Sequence, residues 1–167
     1  IEEPSDNNYF ILVNNKTKPL LKTIYSRSLE YKVNLTEDSR IKIIESLIKK
    51  NSFDIFIDYK LINITPGTFL IFNNILFKNK IYINENYLAN IESILNLYNK
   101  NKDINFINLI LFLTDYYFHM LNKKSILDIE KIAEKKSFIV NNINNLLIYN
   151  LNQNSVINAI NNKLFDG

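Results

Sequence analysis

The chain has 167 residues, enough for one domain with a sizeable core. Apolar residues make up 47 % and charged residues 22 %, which excludes an intrinsically disordered chain, and the lack of any cysteine excludes disulfides and thiolate metal sites. The net charge of +3, carried by lysine far more than arginine, is too small to imply nucleic acid on its own.

Asparagine and isoleucine are in excess, while glycine is nearly absent. Codon usage in an AT-rich genome accounts for this skew. It also accounts for the Asn-x-Ser/Thr triplets at Asn15, Asn34 and Asn63, which need no reading as secretion signals. Ile1 to Asp6 has neither a basic stretch nor an apolar one, so no signal peptide is expected there.

Residues 1–8 are polar and are expected to form a flexible arm before a single compact domain, 9–167. Tyr9 to Val13 is a β-prone run ending at the turn-forming pair Asn14-Asn15. Residues 20–35 fit two periods. Leu21, Tyr25, Leu29, Tyr31, Val33 and Leu35 lie on one side of a strand, whereas Leu21, Ile24, Tyr25 and Leu29 share one helical face. A helix is expected next, with Thr36 as cap, Glu37 and Asp38 at its positive end and Lys49 and Lys50 at its negative end. Ile41, Ile44, Leu47 and Ile48 form its apolar stripe.

From residue 53 to 83 the pattern reads as extended. Phe53, Ile55, Ile57, Tyr59 and Leu61 alternate, Thr65-Pro66-Gly67 reads as a turn, and residues 68–72 and 75–77 flank Asn73-Asn74 like a hairpin. Residues 80–83 suit one more short strand. Beyond residue 84 helical periods dominate. Asn84 is placed to cap a helix whose Tyr87, Leu88, Ile91, Ile94, Leu95 and Tyr98 face inward. Asp103 is placed to cap a helix over 104–122 that is apolar nearly all round and is expected to be the most buried. Its Asn105, Asn108, Asp115 and His119 make it too polar to read as a membrane span.

The last 45 residues then read as two helices, capped near Ser125 and Ser137, followed by a strand over Val156 to Ile160. A turn at Asn161-Asn162 and a return strand at Lys163 to Phe165 complete the segment. The expected fold class is therefore α+β: a mixed N-terminal half, 9–83, and a helical C-terminal half, 84–167, ending in a winged-helix-like unit.

The run from Asp128 to Leu151, with Val156 to Ile160 after it, resembles the C-terminal winged helix of PCI domains. These are found in subunits of the proteasome lid, the signalosome and a translation initiation factor. Ile129, Ile132, Ala133, Ser137, Ile143, Leu147, Leu151, Val156 and Ala159 carry the resemblance. It covers about a quarter of the chain. Asn144 stands where the family has a glutamate, and the family's glycine before the strand is missing. The resemblance implies a non-enzymatic subunit of a larger assembly, which pairs an edge strand with neighbouring protein subunits. Val156, Ile157, Asn158, Ala159 and Ile160 are the candidate edge. In the front half, the run Phe69 to Leu76 is similar to a segment of ubiquitin-like β-grasp domains.

No catalytic constellation is legible. His119 stands without a second histidine, and Asp115 four residues before it suggests a local helix pair. Gly67 and Gly167 form no phosphate loop, and no cofactor or metal is expected. The alternative partner is nucleic acid, contacted through Lys123, Lys124, Lys131, Lys135, Lys136 and Lys163 around the winged-helix segment, although residues 138–151 contain no lysine or arginine. A third alternative is a host-interaction or effector protein of an AT-rich parasite, symbiont or virus. An intracellular setting, cytoplasmic or nuclear, and no membrane span complete the expectations.

Overall fold

In the computed structural model, residues 8–14, 19–52, 54–83, 86–124 and 129–165 are described. They contain seven helices and no strand, which corrects the expected α+β class. The helices are α1 (Lys22–Tyr25), α2 (Glu37–Asn51), α3 (Pro66–Asn79), α4 (Tyr87–Asn101), α5 (Ile104–Lys124), α6 (Ile129–Tyr149) and α7 (Gln153–Phe165). The chain divides into two units, Ile1–Leu35 and Thr36–Gly167.

Among its described residues the first unit holds one helical turn, α1. It is steadied by hydroxyls: Ser28 Oγ donates to the Ile24 carbonyl (2.7 Å), and the Tyr25 hydroxyl donates to Glu30 Oε2 (2.5 Å). No residue of α1 is buried, and the β-prone run Tyr9–Val13 forms no strand.

The second unit carries the core. Helix α2 forms as its sequence dictates. The Thr36 hydroxyl accepts the Ser39 N–H (3.3 Å), the acids and lysines sit at the favoured ends, and Ile44 is fully buried. Helix α3 replaces the expected hairpin. The Thr65 hydroxyl caps the Thr68 N–H (3.2 Å), and Pro66 at the first helical position supplies a preset φ and needs no hydrogen-bond partner. Its buried residues Phe69, Phe72, Asn73 and Leu76 follow the i, i+3, i+4, i+7 spacing of a helical face. The β-grasp-like segment is therefore helical.

Residues 54–65 are a loop, not a strand. Ile57 and Tyr59 are buried but Ile55 is exposed, so alternation does not hold. Two buried polar side chains satisfy backbone groups that a strand would pair with a neighbour. Asn73 accepts the Phe56 N–H (2.8 Å) and donates to the Asp54 carbonyl (2.9 Å). Arg40 donates to the carbonyls of Tyr59 (2.8 Å) and Ile64 (3.4 Å). Phe53 lies outside the described residues, and residues 80–83 form no strand.

Helices α4, α5, α6 and α7 close a ring: α4 packs on α5, α5 on α6, α6 on α7, and α7 back on α4. The α2–α3 pair attaches to this ring through α3 and α5. Asn86, two residues later than expected, caps α4 through the N–H groups of Leu88 (3.0 Å) and Ala89 (3.4 Å). Asp103 bonds the Asn105 N–H (2.9 Å) at the start of α5. Leu109 and Ile110 in the first half of α5 are fully buried. By length and composition alone, Ile104–Asn122 is apolar enough to cross a membrane, a test that the core helix of a folded domain also passes.

Two corrections concern the C-terminal segment. The two short helices expected around Ser137 are one uninterrupted α6, and the expected hairpin is α7. Asn152 caps α7 by accepting the N–H of Asn154 (2.9 Å) and Ser155 (3.3 Å). The helix–helix–hairpin order of a winged helix is not formed. The expected cap Ser125 lies outside the described residues.

All four positive-φ residues in the described chain follow helix ends: Ser52, Lys80, Lys102 and Asn150, at φ 49–54°. This left-handed position usually takes glycine. The chain has two glycines in all and places neither there.

Candidate functional site

The expected edge strand is absent because its residues are helical. Val156 and Ile160 are 3 % and 0 % exposed on the inner face of α7, and a helical backbone offers no ladder to a partner strand.

Of the four candidate lysines with described side chains, three hold helices together. Lys136 pairs with Asp115 (2.8 Å), tying α6 to α5. Lys163 pairs with Glu134 (2.6 Å) and lies 5.9 Å from the Phe138 ring, tying α7 to α6. The hydrogen bond and charge of Lys163 hold the Glu134 carboxyl below its ordinary value. Lys135 donates to the Leu164 carbonyl (3.0 Å), in the last turn of α7 where a cation is favoured. Lys131 is exposed. The side chains of Lys123 and Lys124 lie outside the described residues.

Asp115 makes its pair with Lys136 and not with His119, which is exposed. Among the described residues no group of three or more His, Cys, Asp or Glu side chains is placed to hold a metal. The buried polar features are structural. Thr114 donates to the Ile110 carbonyl (2.8 Å), so the Tyr87 hydroxyl must be the donor in its 2.8 Å bond to Thr114. Tyr87 also stacks on Tyr117 at 4.3 Å, and burial pushes its phenol well above the ordinary tyrosine value.

Two surfaces escaped the sequence reading. The first is the apolar side chains of residues 9–35. Tyr9, Ile11 and Val13 are each at least 90 % exposed, and Leu29, Tyr31 and Val33 are also largely open. Their spacing was visible, but their exposure was not.

The second is an open depression of about 420 Å³ beside the C-terminal end of α3, along α4. Asn79, Lys80, Tyr82, Asn96 and Lys100 lie on its wall. Tyr82 is held at its edge: its ring stacks on Phe56 (5.2 Å, 28° between planes) and its carbonyl accepts from Asn90 (3.0 Å). Phe56 in turn meets Phe77 edge-on at 5.9 Å. These residues come from two loops and two helices, so their meeting had no sequence signal.

Comparison with protein-family models, with curated proteins and with solved structures gave no match.

Proposed function

We propose that this protein is a non-enzymatic interaction subunit of a larger assembly, and that residues 9–35 dock on a protein partner. The observation that carries this reading is the exposure of large apolar side chains along that segment, Tyr9, Ile11, Val13, Leu29, Tyr31 and Val33 above all. Burying one such side chain contributes about 1.5–3 kcal/mol, so a partner covering all six gains about 9–18 kcal/mol against an association cost of about 4–15 kcal/mol. Leu29, Tyr31, Val33 and Leu35 alternate with Glu30, Lys32 and Asn34, which gives an extended chain one apolar and one polar face. That pattern suits pairing with the exposed edge of a partner's sheet.

The test is affinity purification of the tagged protein from its source, alongside the triple variant Leu29→Lys, Tyr31→Lys, Val33→Lys. Stoichiometric protein partners are expected with the natural sequence and are expected to be lost with the variant, while the thermal unfolding of the two remains the same. Partners retained at equal yield by the variant would exclude the segment as the docking surface.

A further inference from the structure

We propose that the depression beside Tyr82 binds single-stranded nucleic acid. Sequence-tolerant recognition of single strands needs an aromatic face for a base and cations that track the phosphates. Tyr82 supplies the face. It is 52 % exposed, and its stack on Phe56 and its carbonyl bond from Asn90 fix it before any ligand arrives. Lys80 and Lys100 supply the cations, and neither has a charged partner among the described residues. None of the described residues lining the depression is acidic.

The asparagines add polar complementarity. Asn79 spends its amide N–H on the Ile75 carbonyl (2.8 Å), which leaves its Oδ1 as an acceptor. Asn96 spends its Oδ1 on Gln153 (3.0 Å), which leaves its amide N–H groups as donors. One acceptor and one donor beside a stacking ring match the edge of an unpaired base. The volume of about 420 Å³ lies at the low end of the range for sites that take a small ligand, suited to one nucleotide of a strand that continues across the surface. A neutral glycan would leave both ammonium groups without an anion, and an acidic peptide would leave the ring without a stacking partner. This site is separate from Lys131, Lys135, Lys136 and Lys163.

The experiment is fluorescence anisotropy of a labelled mixed-sequence single-stranded oligonucleotide against the full chain, titrated at several salt concentrations. Binding is expected at low salt and is expected to weaken as salt rises. Stacking is worth about 1–3 kcal/mol per base, so Tyr82→Ala should weaken binding by about 5- to 150-fold, whereas Tyr82→Phe should stay close to the natural protein. The pair Lys80→Gln and Lys100→Gln should flatten the log–log salt slope by about 1.4, the value for two single-strand phosphates. Lys131→Gln, on α6, should leave binding unchanged. The proposal is overturned by absence of binding at low salt, by equal binding of folded Tyr82→Ala, or by Lys131→Gln weakening binding as much as the Lys80 and Lys100 changes. Competition by poly-glutamate as effective as that by unlabelled oligonucleotide would also overturn it. If Tyr82→Ala fails to fold, the double lysine variant and Tyr82→Phe decide the matter.

Discussion

Asn73 sits at 0 % exposure inside α3 and makes two hydrogen bonds to the backbone of the 54–56 loop. Asn73→Leu keeps the branching of the side chain and removes both. The Phe56 N–H, on a half-buried residue, and the carbonyl of the exposed Asp54 lose their partners. Each backbone group left unsatisfied costs about 1–3 kcal/mol, and partial burial favours the lower half of that range. The gain from burying leucine offsets only part. A net loss of about 2–3 kcal/mol is expected in urea unfolding, with an unchanged m-value. The amide of Phe56 should exchange with solvent much faster than in the natural protein, because its acceptor is gone. Asn73→Asp adds a pH signature. The carboxyl can replace the lost donor only when protonated, and burial also disfavours its ionised form, so its folded pKa must rise. Its stability should then be fully present below the ordinary aspartate value of about 3.9 and be lost as pH rises through the raised folded value. A cost below about 1 kcal/mol for Asn73→Leu, or unchanged exchange at Phe56, would refute the claim that Asn73 anchors this loop.

Ser52→Gly should stabilise the protein by about 1 kcal/mol by thermal or chemical unfolding, since serine is strained at φ 50°; Asn150→Gly should gain less, because asparagine tolerates that region. Ile160→Ala should cost about 2–5 kcal/mol while Asn158→Ala is near neutral; a strand would put residues 158 and 160 on one face, whereas α7 buries only Ile160. Tyr87 should ionise only on unfolding, seen as a late step in tyrosinate absorbance. The stability that its neutral form contributes is fully present below about 10 and is lost as pH rises above that ordinary value toward the raised folded one. Glu134 should titrate below the ordinary carboxylate range by NMR and return to that range in Lys163→Met.

Helix α2 was legible because four signals agree there: a threonine cap, acids at its start, lysines at its end and a single apolar stripe. The periods of α4 and α5 were equally plain, and the Asp103 cap fell where it was read. Helix α3 was lost to asparagine. The pair Asn73-Asn74 resembled a turn between two β-prone runs, yet Asn73 is a buried helical residue that binds another segment. The same residue type caps α4 at Asn86 and α7 at Asn152 and lies inside α6 at Asn142. In a chain this rich in asparagine, its local preferences lose their power to mark turns. The scarcity of glycine removed the complementary signal, because Ser52, Lys80 and Lys102 end helices without announcing it. Thr65-Pro66 was a helix start misread as a turn, since both uses exploit the same fixed φ. The wall of the candidate site depended on that error: with 66–79 read as a hairpin, Asn79, Lys80 and Tyr82 had no reason to meet the face of α4.

Arg40 and Asn73 explain how a long loop keeps its register where the described residues form helices and no sheet. Each projects from a helix and takes up backbone groups of 54–64 by side chain, and between them Ile57 and Tyr59 are drawn into the core. The consequence reaches the surface. Phe56, whose N–H is held by Asn73, is the ring against which Tyr82 stacks. A rigid stacking face costs a ligand less ordering entropy than a mobile one. Asn73 is therefore a positioning residue for the candidate site although it does not line it. Under native conditions, where the variant remains folded, Asn73→Leu should weaken oligonucleotide binding several-fold and leave the salt slope unchanged, because no phosphate contact is lost. A flattened slope would mean that the change had disturbed Lys80 or Lys100 as well, and unaltered affinity would mean that Tyr82 holds its place without the loop beneath it.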